Sequence, residues 1–319
     1  MRQISKEIHK QLMAAKKIII IPHQHPDGDS LGSAGALKEF LNTVNKDATI
    51  FCASPAQSKY HFIPHARTLS NEPRRFADKA VDTIVVLDSG DLRYAGVDVH
   101  LKNHPAQIIN IDHHPTNEKY GDINLVMPTA SSTAEILFYF FKHNEIKINQ
   151  IMSTALLTGI ITDTDNFTNS ATNPMAMLIA SELLRTGGNL NLINQYTIRN
   201  KSLAVLKLWG AALSRLTKHE GKDLTYTYLT QKDFENYNVS ENEADGIANF
   251  LNNLEGSKTS LILKETADGK IKGSFRTTSD EMDVAAWAKR LGGGGHKKAA
   301  GFSLEGKMEE VLQKILLKN

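Results

Sequence analysis

A run of apolar residues at positions 18–21 (Ile-Ile-Ile-Ile) closes at Pro22 and passes straight into His23-Gln24-His25-Pro26-Asp27-Gly28-Asp29. Four β-branched residues bounded by lysines and a proline read as a short strand buried on both faces. Residues 30–44 then read as a helix, in which Gly32, Ala34, Gly35 and Ala36 permit close packing. A doubly buried strand feeding a helix belongs to an α/β sheet with both faces covered. The pattern recurs, with strands predicted at 48–52, 83–87 and 107–111 and helices near 132–143, 149–161 and 174–185. The expectation is a mostly parallel sheet flanked by helices, with ligands gathered at the carboxyl ends of its strands.

The helical pattern breaks at residues 186–191 (Thr-Gly-Gly-Asn-Leu-Asn), and a long helical stretch over 192–216 containing Trp209 follows. Beyond Gly221 the period changes to two over 224–229. Segments 260–264 and 270–276 flank Asp268-Gly269, a hairpin turn signal. Ser240 and Glu243 form a capping-box pattern ahead of a helix ending near Gly256. The expected organisation is a first domain over residues 1–191, a helical linker over 192–220 and a smaller mixed α+β domain over 221–319. A length of 319 residues suits two domains.

Composition narrows the partners. With 37 Lys+Arg against 35 Asp+Glu the net charge is +2, so no global basic field advertises long duplex nucleic acid. The balance splits as −1 over residues 1–195 and +3 over 196–319, which suits an acidic metal-binding lobe and a mildly basic, anion-binding one. The single cysteine, Cys52, forms no internal disulfide and cannot supply a Cys-type zinc cluster, which fits a reducing cytoplasm. The amino-terminal residues lack the apolar core of a signal peptide, and the run at 18–21 is too short to cross a bilayer, so no membrane association is expected.

Four constellations carry chemistry. The first holds His23, Asp27 and Asp29 where a strand meets a helix, with Gly28 bending the turn. It suits a divalent ion with mixed O/N ligands, although Asp29 as a plain helix N-cap explains it too. The second is Asp88, a carboxylate delivered to the sheet edge by an apolar strand; a loop cap is the alternative. The third, Asp112-His113-His114, ends another apolar strand. The fourth places Asp163 and Asp165 at the end of a helix, where carboxylates oppose the macrodipole unless a cation is present. Together His23, Asp27, Asp29, Asp88, His113 and Asp163 form a sulfur-free set suited to two ions such as Mn²⁺ or Mg²⁺. Paired ions serve in-line displacement at phosphorus.

The order His-x-x-x-Asp-x-Asp, strand-Asp, Asp-His-His, Asp-Thr resembles the DHH phosphoesterase superfamily. Arg276 followed by Gly292-Gly293-Gly294-Gly295-His296 and Lys297-Lys298-Ala299-Ala300-Gly301-Phe302 resembles the DHH-associated domain of the first type. Length and motif order are most similar to the bifunctional oligoribonuclease/phosphoadenosine-phosphate phosphatase group. The resemblance implies that His23 and Asp27 bind one ion, that Asp29, His113 and Asp163 bind the other, and that Asp88 bridges them. It implies that His114 contacts the scissile phosphate, while Asp112 orients its neighbours. It further implies that Arg276, the backbone of Gly293, Gly294 and Gly295, and His296 hold the substrate's phosphate or base end. Physical chemistry agrees: a glycine run exposes N–H groups to an anion and Arg forks onto phosphate. A flexible linker is the alternative for the run. His25 lies off the ligand register, and Asp165 stands where many relatives carry a small residue. Phe167, just past the fourth motif, is expected to pack in the core, with stacking on a base as the alternative.

The resemblance implies hydrolysis of RNA fragments of about two to five nucleotides by metal-activated water, with 3′-phosphoadenosine 5′-phosphate as a second substrate. Phosphodiesterase activity on cyclic or linear dinucleotides shares the same metal site and stays open, and so does a homodimer. Long single-strand exonucleases of the superfamily carry an extra domain and a larger basic groove. Its inorganic pyrophosphatases carry a different second lobe. A nucleotide-binding protein without activity would have lost a ligand, and no ligand of the pattern is missing.

Overall fold

The computed structural model describes residues 1–241, 243, 244 and 246–317; for Asn253 and His296 only the backbone is described. The chain divides into two compact units, Met1–Asn200 and Lys201–Asn319.

In the first unit the elements run α1 (Arg2–Ala14), β1 (Lys17–Pro22), α2 (Gly28–Thr43), β2 (Asp47–Ile50), β3 (Thr83–Leu87), α3 (Asp98–Leu101), β4 (Gln107–Asp112), β5 (Ile123–Val126), α4 (Thr133–His143), α5 (Gln150–Asp163), α6 (Pro174–Arg185) and α7 (Leu190–Thr197). Among the described residues the strands form a five-stranded, wholly parallel sheet in the order β2-β1-β3-β4-β5. The order reverses between β1 and β3, the place where such sheets open a crevice at their carboxyl ends. Register aligns Pro22 with Leu87 and Leu87 with Ile111. His23, Asp88 and Asp112 therefore emerge side by side at one end of the sheet.

The isoleucine run serves both faces. Ile18 and Ile20 join Val85, Leu87, Ile109 and Ile111 under the helical layer, while Ile19 and Ile21 pack with Val86, Phe51, Phe76 and Val97 on the opposite side. The helices α2 and α5 lie backbone to backbone. A Cβ on Gly32 would sit 2.3 Å from the Ala155 carbonyl oxygen, and one on Gly28 would sit 2.4 Å from the Thr162 side chain. Only glycine permits that approach.

The stretch 192–216, expected as one helix, is two. Ile193 of α7 belongs to the first unit's core, whereas α8 (Leu203–Leu213) starts afresh on the Ser202 side-chain cap and packs Val205, Leu208 and Ala212 into a different core. A helix cannot serve two separate cores without a break. Strand β5 lies outside the sequence expectation, since a four-residue segment containing Asn124 carries little apolar periodicity.

The second unit continues with β6 (Thr217–His219), β7 (Leu224–Leu229), α9 (Gln231–Tyr237), α10 (Ile247–Phe250), β8 (Thr259–Glu265), β9 (Lys270–Thr277), α11 (Val284–Arg290), β10 (Gly294–His296), β11 (Ala299–Glu305) and α12 (Met308–Leu317). Its mixed sheet runs β10-β11-β9-β8-β7-β6, and among the described residues only β7 and β8 are parallel. The expected β8–β9 hairpin turns at Gly269, with φ 79°. Glu243 accepts hydrogen bonds from the Ser240 amide and hydroxyl, but the helix begins only at Ile247; positions 242 and 245 of that turn lie outside the described residues. Among the described residues no helix is long and apolar enough to cross a membrane.

Candidate metal centre

The turn after β1 places three donors. Asp27, not Asp29, is the N-cap of α2: its Oδ1 accepts from the Asp29 and Ser30 amides at 3.1 and 3.0 Å, and the Ser30 hydroxyl accepts from the Asp27 amide at 3.0 Å. Asp29 is thereby one residue into the helix and 0% exposed. Its two oxygens accept from Thr133 and Ala134, the first amides of α4, at 2.7 and 2.9 Å, an anion position that a helix N-terminus favours. Burial foremost, then the Asp27 charge, still pushes the Asp29 carboxyl up to about 7.

Asp88 follows β3 with φ 57°, a left-handed conformation that costs a non-glycine residue of order 1–3 kcal/mol. The strain turns a fully buried carboxylate into the cluster. Oδ2 lies 3.6 Å from His23 Nε2 and Oδ1 lies 3.5 Å from His113 Nε2, while Thr133 Oγ1 donates to Oδ1 at 3.1 Å. Burial, and then the charges of Asp29, Asp27, Asp163 and Asp112, hold this carboxyl well above the usual range.

The residues after β4 divide their tasks. His113 Nδ1 faces the Ala130 carbonyl at 3.4 Å, which leaves Nε2 directed at Asp88 and, at 3.3 Å, at Asp163. Burial lowers the His113 pKa to about 4, so the ring stays neutral and its lone pair is available to a cation. His114 instead gives Nδ1 to Asp112 at 2.7 Å. Burial opposes its protonation, but the Asp112 hydrogen bond and charge outweigh burial and raise its pKa. Asp112, fully buried, also accepts from the His113 amide at 2.9 Å and from Asn117 Nδ2 at 2.6 Å.

Asp163 is the last residue of α5. Burial and the neighbouring Asp29 and Asp27 charges raise its pKa as well. The chain then takes three left-handed residues in succession, Asp165, Asn166 and Phe167, with φ 48°, 58° and 64°. Phe167 is half-buried against the first unit's core. His25 is exposed and Asp165 half-buried.

The donors group in threes, as His23–Asp27–Asp88, Asp29–His113–Asp163 and Asp88–His113–His114, with ligand atoms in each group within 4.8 Å of one another. The residues fit divalent ions on their own chemistry. Two buried carboxylates, Asp29 and Asp88, and the half-buried Asp163, all with raised pKa values, cannot all ionise together without a cation, and His113 is held neutral with Nε2 turned inward. The donor set is oxygen and nitrogen only.

In the second unit Arg276 lies on β9 opposite Ala299; its Nε donates to Asn249 at 3.0 Å and its Nη1 to the Phe275 carbonyl at 2.9 Å. The glycine run is neither a linker nor a simple anion cradle. Gly292, with φ 78°, ends α11, and the Gly293 amide donates back to the Ala288 carbonyl at 2.9 Å, a helix C-cap closure. The Gly293 N–H is thus already engaged, which corrects its expected role in holding phosphate. A Cβ on Gly293 would lie 2.1 Å from the Gly301 carbonyl oxygen, and one on Gly295 2.6 Å from that of Ala299. These glycines let β10 lie against β11. Gly294 alone of the three faces open space. The His296 side chain lies outside the described residues.

Sequence reasoning missed the supports. Asn117 ties Asp112 to the Ser89 carbonyl (3.1 Å) and to Asn110. Glu135 is buried and accepts from the Ser131 amide, the Ser131 hydroxyl and Asn173 at 2.8, 2.7 and 3.3 Å, fixing the loop whose Ala130 carbonyl orients His113. Tyr94 lays its ring 5.0 Å from that of His23 and 6.5 Å from that of His114. Asn117 and Tyr94 lie outside the helices and strands, and Glu135 supports a turn from the start of α4, so apolar periodicity does not mark them and their roles become visible in three dimensions.

Comparison with known proteins places this geometry. The family described as DHH family, N-terminal domain, matches residues 17–160, and the DHHA1 domain matches residues 221–318. The chain is 31% identical over 302 residues to the bifunctional oligoribonuclease and PAP phosphatase NrnA of Thermus thermophilus, covering 94% of this chain and 88% of that protein. It is 27% identical to the probable bifunctional oligoribonuclease and PAP phosphatase NrnA of Streptococcus mutans, covering 97% of each. The crystal structure of an exopolyphosphatase-related protein from Bacteroides fragilis matches it with a TM-score of 0.93 at 26% identity, over 99% of this chain and 96% of that one. A DHH unit that supplies the clustered Asp and His donors, followed by a DHHA1 unit, makes this chain a member of the DHH family of phosphoesterases.

Proposed function

We propose that this protein is a two-metal phosphoesterase that hydrolyses RNA fragments of about two to five nucleotides and removes the 3′-phosphate of 3′-phosphoadenosine 5′-phosphate, with Mn²⁺ as its preferred ion. The observation that carries the reading is the position of Asp88. One carboxylate presents Oδ2 to His23 and Oδ1 to His113, the arrangement a bridging ligand requires. In this assignment His23 and Asp27 hold one ion, Asp29, His113 and Asp163 hold the other, and Asp88 serves both. When bound, the ions activate water and neutralise the phosphoryl oxygens.

The chain's own residues do the rest. Asp112 fixes the His114 ring and favours its charged form, so that His114 contacts the scissile phosphate and stabilises the charge that builds on it. Thr133 Oγ1 holds Asp88 in place, and the α4 amides do the same for Asp29. In the second unit Arg276, Gly294, Gly295 and His296 are assigned to the phosphate or base end of the nucleotide. Names of relatives support RNA fragments and phosphoadenosine phosphate as substrates.

The test is a turnover panel with Mn²⁺ and with Mg²⁺ over a ribodinucleotide, a long RNA, 3′-phosphoadenosine 5′-phosphate and a cyclic dinucleotide. The dinucleotide and the phosphoadenosine phosphate are expected to turn over fastest with Mn²⁺, and Asp88→Ala is expected to abolish both activities. Equal rates on long and short RNA refute the short-substrate reading, and unchanged turnover in Asp88→Ala refutes the bridging role.

A further inference from the structure

The segment after Asp88 turns back on itself and is pinned on both sides. The Tyr94 amide donates to Asp91 Oδ1 at 2.7 Å, and the Tyr94 carbonyl accepts from the Gln24 amide at 3.1 Å. Ala95 and Val97 are fully buried in the core beneath the sheet. Gly96, with φ 71°, has no room for a Cβ, which would meet Ala53 Cβ at 2.9 Å and Gln24 Cβ at 3.0 Å. The backbone therefore holds Tyr94 in one place.

Its ring is tilted 35° against that of His23 and 64° against that of His114. It neighbours both the ring assigned to a metal and the ring assigned to the scissile phosphate. The residue nevertheless remains 42% exposed. A part-exposed aromatic ring beside the site offers an amphipathic surface to a flat partner. A base lies one ribose away from its phosphate, and Tyr94 lies one side chain away from the donors that would hold that phosphate.

We propose that Tyr94 is the stacking platform for the base of a nucleotide whose phosphate sits at the metal centre, so that it selects nucleoside phosphates over base-free phosphate esters. The platform is sequence-tolerant, because every base presents a π-face. It rests on the phosphoesterase reading for the position of the phosphate, and it assigns base recognition to a residue of the first unit.

The competing explanation is that Tyr94 only props His23, whose Nδ1 is buried and has no hydrogen-bond partner among the described residues. Equilibrium binding separates the two without turnover. AMP and ribose 5-phosphate are titrated into the Mn²⁺-loaded wild type, Tyr94→Ala and Tyr94→Phe, and Mn²⁺ affinity is measured for each. Wild type and Tyr94→Phe are expected to prefer AMP. In Tyr94→Ala that preference should shrink by about 5- to 150-fold, the range for one base–aromatic stack, with Mn²⁺ affinity unchanged. A preference that survives in Tyr94→Ala, or falls equally in Tyr94→Phe, overturns the platform, and a fall in Mn²⁺ affinity assigns Tyr94 to His23 instead. Wild-type failure to cleave a dinucleotide, with the AMP preference intact, sinks the phosphoesterase reading and leaves the stack standing.

Discussion

Replacing Asp29 with asparagine separates what the metal centre costs the fold from what it needs for binding. The Asp29 carboxyl is pushed from the ordinary value of 3.8 to about 7. A group held protonated in the native state stabilises it below the unfolded pKa, and that stability is lost as pH rises through the folded one. A rise of this size corresponds to about 4 kcal/mol, withdrawn between about pH 4 and pH 7 in the metal-free protein. The substituted amide does not titrate, and the loss of charge also relieves Asp88 and Asp163, which both feel Asp29 as their strongest repelling neighbour. The substitution has its own cost. Asp29 accepts from both the Thr133 and Ala134 amides, and the NH₂ of an asparagine cannot replace one of those acceptors, which leaves a buried donor unpaired at about 1–3 kcal/mol. In chelator, Asp29→Asn should therefore be less stable than wild type near pH 4.5 and more stable, by about 1–3 kcal/mol, at pH 8. With Mn²⁺ at about a thousand times the wild-type Kd the order at pH 8 reverses, because wild type gains about 4 kcal/mol from binding. Urea denaturation followed by circular dichroism at both pH values reads all of this. Parallel pH dependence of wild type and variant in chelator would refute the electrostatic account.

Three further outcomes follow from the same geometry. Gly159→Ala should abolish Mn²⁺ binding in calorimetric titration, because its Cβ would lie 2.5 Å from Asp29 Oδ1 and 2.6 Å from Ala134 Cβ; retained stoichiometry and affinity contradict it. Asn117→Ala should lower kcat by about 10- to 100-fold, the usual effect of removing a residue that orients a ligand, with KM little changed; steady-state kinetics on a dinucleotide decide, and a pure KM effect rules out orientation through Asp112. Gly293→Ala should destabilise the second unit by about 1–3 kcal/mol through overpacking, since its Cβ meets the Gly301 carbonyl at 2.1 Å, and an unchanged unfolding midpoint refutes the strand-packing role of the glycine run.

Much of this architecture is legible in the chain itself. The apolar strands that stop at His23, Asp88 and Asp112 announce both the parallel sheet and its reactive edge, because a strand buried on two faces leaves no other reading for the run at 18–21. Helices with clear caps follow the pattern closely, and α6 ends at the expected residue. The misreadings have local causes. Asp27 and Asp29 are both plausible caps, and only the Ser30 hydroxyl, which completes the capping box with Asp27, decides between them. At Gly293 the anion-cradle reading fails because periodicity cannot reveal that this amide closes a helix, or that the missing side chains of Gly293 and Gly295 seat a strand. The stretch at 192–216 is helical by pattern throughout, and its break reflects which core each half joins. Glu135 acts through the Ser131 amide and hydroxyl and through Asn173, and Asn117 through the Ser89 carbonyl and neighbouring polar side chains, contacts that hydrophobic periodicity does not betray.

The glycines between α2 and α5 have one more consequence. Asp29 rides on one helix and Asp163 on the other, so the reach between them is set by how closely two backbones can lie, not by the rotamers of two flexible side chains. Gly28, Gly32 and Gly159 thereby set the spacing of the candidate metal centre. The separation a ligand pair offers is fixed when the core closes, before any ion arrives. Any substitution that thickens this seam would disturb the spacing of the candidate ligands and the packing of the core together.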